Sequence, residues 1–143
     1  MIKAKIADLY PLSEALASFI VDFSDVVMGK ASVIFHYNFR VLHDSLNEYL
    51  SERDNIITKY GKKDENGNAY VPADDKENVD KAIEEINEIG DIQIEVPLVT
   101  IPMEDLYKVA DSVPASRIAP LIWMTTEYQE TLKTDDPADE AKK

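Results

Sequence analysis

The chain lacks several of the residue types and patterns that usually mark a chemical site. It contains no cysteine and only four glycines among 143 residues. The absence of cysteine excludes disulfides, thiolate zinc sites and cysteine nucleophiles, and it favours a reducing, intracellular environment. The scattered glycines, at positions 29, 61, 67 and 90, form no glycine-rich loop that would bind a phosphate. We therefore expect no nucleotide hydrolysis.

Long apolar runs and a surplus of basic residues are also missing. No stretch approaches the ~20 apolar residues of a membrane span, and the opening residues alternate in a way that does not fit a signal peptide. The chain has 28 acidic and 15 basic residues, for a net charge of −13. This charge disfavours direct binding to nucleic acid or to an acidic membrane surface. We expect a soluble protein.

Histidine is nearly absent, and its positions do not favour a metal site. His36 and His43 are seven residues apart on one predicted helix, so their Cα atoms should lie ~10.5 Å apart. Two ligands of one metal on a helix are normally three or four residues apart, with a third ligand nearby. No glycine-flanked serine that would serve as a nucleophile occurs either. We predict no metal, no cofactor and no catalytic site, and hence a protein that is not an enzyme.

The strongest positive feature is a long apolar repeat with alternating steps of four and three residues, formed by Phe35, Phe39, Leu42, Leu46, Tyr49, Arg53, Ile56 and Tyr60. This spacing predicts a helix over about 31–60 that packs lengthwise against other helices, with Arg53 as the one chemical exception. An apolar stripe beginning near Leu12 predicts a preceding helix, and Gly29 is expected to end it. Together they predict a long antiparallel helical hairpin.

The rest of the sequence predicts smaller elements around this hairpin. Residues 2–7 and 92–96 alternate between apolar and polar, which favours two paired strands. Apolar residues at 79, 83, 86 and 89 predict a third helix, and short helices should follow Pro102 and Ser116. The predicted fold class is α+β, mainly α. We expect one domain over 1–130 and a disordered, charged tail over 131–143.

The apolar stretch around Trp123 has two interpretations that the sequence leaves open. It could be a buried anchor that closes the core, or a contact patch for another chain, because tryptophan and methionine are enriched in such patches. The long helix also has apolar residues beside its main stripe, and these could likewise be core residues or contacts for another chain. The candidate interface residues are Leu121, Ile122, Trp123, Met124, Ile34, Val41 and Leu50.

Several short segments carry a resemblance to known proteins. They are IKAKIADLY at 2–10, LSEAL at 12–16, LNEYLSER at 46–53, KYG at 59–61, INEI at 86–89 and IQIEVP at 92–97. In these segments and their order, the chain resembles small bacteriophage and prophage proteins of unassigned function. The resemblance implies a viral context, with the protein in the host cytoplasm or associated with the virion. It implies no active-site residue.

Two functional hypotheses follow. The first is a non-enzymatic, phage-encoded interaction or assembly protein that acts through protein–protein contacts and forms a homo-oligomer. The alternative is an acidic inhibitor of a host defence system that mimics nucleic acid and binds the basic surface of a host nuclease. Steeply salt-dependent binding to a basic host protein favours the inhibitor, and salt-insensitive self-association favours assembly.

Overall fold

Two long helices form an antiparallel pair in the computed structural model, which describes residues 1–27 and 29–134. Helix α1 spans Ile6–Phe23 and helix α2 spans Gly29–Tyr60. The predicted class, α+β and mainly α, is confirmed. The remaining elements are β1 (Ile2–Lys5), β2 (Lys62–Lys63), β3 (Ala69–Tyr70), α3 (Lys76–Gly90), β4 (Gln93–Val96), α4 (Met103–Ala110), α5 (Ala115–Ile118), a 3₁₀ helix (Ala119–Met124) and α6 (Thr126–Thr134).

Aromatic contacts hold the α1–α2 pair along its length. The rings of Phe19 and Phe35 lie 5.3 Å apart, centroid to centroid, and those of Tyr10 and Tyr49 lie 5.9 Å apart. Arg53, the exception in the apolar repeat, donates a 3.4 Å hydrogen bond to the Tyr10 hydroxyl and lies over the Tyr10 ring. Phe35, Tyr49 and Arg53 of the predicted repeat therefore face α1, and Arg53 belongs to that contact.

The start and end of α1 differ from the prediction. The helix begins at Ile6, so the first strand covers 2–5 and Pro11 lies inside the helix instead of in its first turn. The reason is that the buried stripe of the helix extends back through Leu9 to Ile6, whose side chain is buried as well. Gly29 has a φ of +69° and is the first residue of α2, whereas α1 ends at Phe23.

The predicted pairing of the two strands is confirmed. Strand β1 runs antiparallel to β4, with Ile2 opposite Val96 and Lys5 opposite Gln93. A hydrogen bond of 3.0 Å from the Ile6 N–H to the Ile92 carbonyl continues the ladder. The alternation places Ile2 and Ala4 against the core and leaves the Lys3 and Lys5 side chains exposed.

Helix α3 packs on α2, and three of its four predicted apolar residues, Val79, Ile86 and Ile89, are partly buried. Ala82 is buried, Ile89 packs against the core, and Ile83 is 51% exposed. Asp75 accepts a hydrogen bond from the Asn78 N–H and caps the helix. The prediction of a third helix is correct, whereas Ile83 is not one of its core residues.

One polar side chain is completely buried in the core. Asn38 on α2 has no exposed surface, and its amide bonds both backbone groups of Val99: Nδ2 donates to the carbonyl at 2.8 Å, and Oδ1 accepts from the N–H at 2.9 Å. The Asn38 amide therefore fixes the segment that leads from β4 to α4 onto the first third of α2.

The C-terminal region corrects two further predictions. Pro114 precedes α5 with no side-chain cap, so Ser116 does not begin that helix. Residues 131–134 are part of α6, which corrects the predicted start of the tail, and residues 135–143 lie outside the described residues. One hydrophobic cluster extends from Ile6 to Met124 and joins α1 and α2 to the C-terminal elements.

Candidate protein-interaction surface

Three of the predicted interface residues are core residues. Leu121 and Met124 have no exposed surface, and Ile34 is 6% exposed, so they are not surface contact residues of this chain. For Leu121 and Met124, the reason is the three-residue repeat of the 3₁₀ helix, which places positions three apart on the same side. Leu121 and Met124 thus both face the core, and Ile122 and Trp123 remain partly exposed.

The extra apolar width of α2 is covered mainly by the chain itself. Val41 and Leu50 are partly buried and pack against the core cluster. Helix α2 contacts α1, α3, α4 and β4. The wide apolar face of α2 is therefore explained by the several elements of the same chain that pack on this helix.

Trp123 lines a groove between the start of the chain and α6. The cavity there has a volume of about 450 Å³. Trp123, Tyr128 and Leu132 line it from the 3₁₀ helix and α6, and the facing lining residues are Lys3, Ala4, Lys5, Ala7, Asp8, Pro11 and Gln93.

A second cavity of about 320 Å³ adjoins the first and shares Lys3 and Leu132 with it. Its other lining residues are Met1, Ile2, Thr100, Thr126, Gln129, Glu130 and Lys133. We call the two cavities together the β1–α6 groove.

A set of hydrogen bonds fixes the α6 side of this groove. The Gln129 side chain donates to the Trp123 carbonyl at 2.6 Å, and the Thr125 hydroxyl donates to the Ile122 carbonyl at 2.7 Å. The backbone of Ile101 bonds both sides of the junction between the 3₁₀ helix and α6. Its carbonyl accepts a hydrogen bond from the Thr126 N–H, and its N–H donates to the Met124 carbonyl. Trp123 is therefore held at the rim by buried polar contacts that leave one part of its ring accessible.

The β1 side of the groove carries lysines that have acidic neighbours, and Lys3 stands opposite Glu95 in the β1–β4 register. Lys5 lies 3.7 Å from the Asp91 carboxylate, whereas Lys3 and Lys133 have no ion pair within the part of the chain that the structure describes. The acidic lining residues are Asp8 and Glu130. The groove thus combines exposed apolar surface with lysines, while the chain as a whole carries a net charge of −13.

The outer edge of β1 also presents backbone groups to this groove. Because the Ile6 N–H bonds to the Ile92 carbonyl, the alternation of an antiparallel ladder directs the Lys3 N–H and C=O away from β4. Neither group has a hydrogen-bond partner among residues 1–27 and 29–134. An extended peptide could bond to them by strand addition.

A different groove, of about 300 Å³, lies between α2 and α3 and is lined mostly by acidic and polar side chains. There Lys59 Nζ lies 3.1 Å from Glu85 Oε1, and the Tyr60 hydroxyl donates to the same oxygen at 3.0 Å. The hydrogen bond from Lys59 lowers the pKa of Glu85, and the reciprocal bond raises the pKa of Lys59. Both shifts are those of an exposed ion pair.

The two histidines lie apart on the surface of α2. His36 Nδ1 is 2.9 Å from the Ser32 carbonyl oxygen, and the His43 ring stacks on Phe39 with centroids 6.0 Å apart. Within residues 1–27 and 29–134, no three histidine, aspartate or glutamate side chains form a group that could hold a metal ion.

The sequence interpretation found Trp123 but missed the rest of the groove. The alternating pattern places Lys3 and Lys5 on the exposed side of a strand and indicates no groove. Tyr128 lies just before the predicted tail over 131–143, and Leu132 lies within it. Their spacing of four residues is the one signal of a shared helix face.

No family model, no curated protein and no solved structure matches this chain. None of the helices within the described ranges is both long enough and apolar enough to cross a membrane.

Proposed function

We propose that this chain is a non-enzymatic, phage-encoded interaction or assembly protein that acts by binding other protein chains, including copies of itself. The observation that carries the proposal is the β1–α6 groove, where Trp123, Tyr128 and Leu132 line a cavity of about 450 Å³ opposite Lys3 and Lys5.

The groove has the composition of a protein-binding site. Aromatic residues dominate the energetic centres of interfaces because they bury much area with few rotatable bonds. Tyr128 and Leu132 are 36% and 41% exposed in the isolated chain, so a bound partner would remove apolar surface from water. Each such side chain contributes about 1–2 kcal/mol when an interface covers it, or roughly a 5- to 30-fold change in affinity.

Sedimentation analysis over a range of concentrations tests this proposal. We expect Tyr128→Ser and Leu132→Ser to weaken self-association by roughly 5- to 30-fold each. Val21→Ser is the matched control, because Val21 is 79% exposed on α1 and does not line the groove. A chain that stays monomeric at every concentration, or one whose association is unaffected by the groove variants, contradicts self-assembly through this surface.

The inhibitor hypothesis has one specific observation in its favour. Helix α3 carries a row of exposed carboxylates at Glu77, Asp80, Glu84 and Glu88, and Glu88 also lines the acidic groove with Glu52. Only Glu77 of these has an ion pair within the described ranges, with Lys81 at 3.0 Å. A row of regularly spaced negative charges fits a basic, nucleic-acid-binding surface.

Capture of binding partners from a host lysate, with the chain as bait, distinguishes the two functions. If the chain is an inhibitor, Glu84→Gln combined with Glu88→Gln will weaken capture of a basic nuclease, and added salt will weaken it steeply. Asp111→Asn, an exposed substitution at the end of α4, is the control. If assembly is the function, capture and self-association will instead respond to the groove variants.

A further inference from the structure

We propose that Asn66 is a site of spontaneous covalent modification, where its side-chain amide becomes a carboxylate through a cyclic imide formed with the main chain of Gly67. The site lies in the loop that joins β2 to β3. Asn66 lines neither cavity of the β1–α6 groove, so this modification is separate from the proposed function.

Asn66 is the only one of the seven asparagines of the chain that precedes a glycine. Ring closure brings the main-chain nitrogen of the next residue onto the side-chain carbonyl carbon, and a Cβ on that next residue hinders the approach. Gly67 has no Cβ, and its φ of +81° lies in the region that glycine adopts without strain. Of all the asparagines, Asn66 therefore has the least hindered attacking nitrogen beside it.

The side-chain amide of Asn66 is exposed and free to rotate. Its neighbours on both sides in the sequence are exposed as well, and the amide makes no hydrogen bond to any residue within 1–27 and 29–134. By contrast, the buried amide of Asn38 donates to the Val99 carbonyl. Neither packing nor hydrogen bonding therefore holds the Asn66 amide away from the main chain, and water reaches both.

The reaction has two steps and needs only water as a co-reactant. First, the Gly67 main-chain nitrogen bonds to Cγ of Asn66, and the side-chain nitrogen leaves as ammonia together with the Gly67 amide proton. Water then opens the ring at one of its two carbonyl carbons. Opening at Cγ gives an ordinary aspartate. Opening at the main-chain carbonyl carbon gives an isoaspartate, in which the chain continues through Cγ.

Hydrogen bonds of the loop control how often the reaction can occur. The Gly67 N–H, which must lose its proton, donates to the Asp64 carbonyl at 3.1 Å. The Asp64 carboxylate accepts from the N–H groups of Asn66 and Asn68, each at 2.9 Å. Because the attacking nitrogen is bonded in the closed loop, the reaction proceeds from molecules in which the loop has opened locally.

The isoaspartate product does not rebuild this loop. Its main chain is one atom longer between positions 66 and 67, so the N–H groups of Gly67 and Asn68 no longer reach their two acceptors on Asp64 together. Either product also adds a negative charge beside Asp64 and Glu65, which repels them. The modification therefore loosens the β2–β3 hairpin, and it does so irreversibly.

Peptide mapping by mass spectrometry, after incubation of the full-length chain at mildly alkaline pH, tests the proposal. We expect the peptide that contains Asn66 to gain the mass that separates a carboxyl group from an amide. Electron-transfer fragmentation assigns the change to one residue and distinguishes isoaspartate from aspartate. Asn68 is the matched control, because it is an exposed asparagine of the same loop that precedes an alanine. Conversion of Asn66 no faster than that of Asn68 overturns the proposal, as does an intact amide at position 66.

Two variants separate the effect of the hydrogen bonds from that of charge. Asp64→Ala removes the acceptor of two N–H groups. We expect it to speed conversion of Asn66 by about 2- to 13-fold, the factor by which one lost hydrogen bond shifts an opening equilibrium. Glu65→Gln removes a charge from the same loop and none of these bonds, so the rate should stay nearly unchanged. An unchanged rate in Asp64→Ala, or equal acceleration in both variants, overturns control by the hydrogen bonds.

Amide hydrogen exchange measures the loosening of the hairpin. We expect the Asn68 amide hydrogen to exchange faster in converted chain than in fresh chain, because its acceptor on Asp64 is lost. Asn66→Gln needs a larger ring, so it should keep its amide and its exchange rate through the same incubation. Equal exchange at Asn68 in converted and fresh chain shows that the hairpin is not loosened and overturns that consequence.

Discussion

Replacing Asn38 by aspartate is the sharpest test of how the core is built. The substitution keeps the shape of the side chain and the oxygen that accepts from the Val99 N–H. It removes the amide donor to the Val99 carbonyl and puts a carboxyl group where the structure allows no solvent contact. The change therefore affects hydrogen bonding and charge with little effect on packing.

The expected loss is large at neutral pH. Leaving a buried carbonyl without its donor costs about 1–3 kcal/mol, and an uncompensated buried charge costs about 3–5 kcal/mol. The two costs overlap because the carboxyl group can take up a proton instead of remaining charged. We expect Asn38→Asp to lower the free energy of unfolding by about 3–5 kcal/mol, out of a total of about 5–15 kcal/mol for a domain of this kind.

The loss of stability caused by Asn38→Asp should depend on pH. Burial raises the pKa of the introduced carboxyl above its unfolded value of about 3.9. The destabilisation is therefore full above the raised pKa, and it shrinks as the pH falls toward the unfolded value. The protonated group can again donate to the Val99 carbonyl, so the difference from the unchanged chain should become small in acid.

Urea unfolding followed by Trp123 fluorescence and by circular dichroism measures this loss. Asn47→Asp is the control because it is the same substitution on an exposed face of α2, and we expect it to change stability by less than about 0.5 kcal/mol. Equal stabilities for the two variants, or a loss at position 38 that does not depend on pH, would refute the reasoning.

Three further variants test other parts of the fold by urea unfolding. Gly61→Ala should destabilise by more than about 1 kcal/mol, since a Cβ there would lie 2.1 Å from the Tyr70 carbonyl oxygen; circular dichroism detects the loss. Leu46→Ala should cost about 2–5 kcal/mol because it leaves a cavity at a site with no exposure. Glu85→Gln removes the ion pair with Lys59. Because the pKa of Glu85 is lowered in the fold, the contribution of its carboxylate is present above the unfolded pKa and fades in acid, so the variant and the unchanged chain should converge as pH falls.

The sequence predicts the large elements because each has a clear period. The repeat through Leu42 and Leu46 survives in α2 because one face of that helix meets α1 along its length. The strand pairing is predictable because Ile2 and Val96 both belong to half-buried, alternating segments. Local sequence patterns are sufficient to predict an element when one of its faces is buried and the other is exposed to solvent.

The candidate site is not predictable in the same way. Its apolar wall depends on a 3₁₀ helix, and the run from Leu121 to Met124 has no period that distinguishes inward from outward positions. Lys3 and Trp123 are far apart along the chain and meet only through the tertiary fold. Asn38 lies within an apolar stripe, and nothing local shows that its partner is the backbone of Val99.

The pairing of β1 with β4 has a consequence for how the chain is made. About ninety residues separate the two strands, so the first strand leaves the ribosome long before its partner exists. At ~5–20 residues per second, synthesis of the intervening stretch takes ~5–18 s. Helices of low contact order form much faster than that. The N-terminal strand therefore waits for seconds beside two helices whose core is still incomplete, with both of its edges open to chaperones or to neighbouring nascent chains.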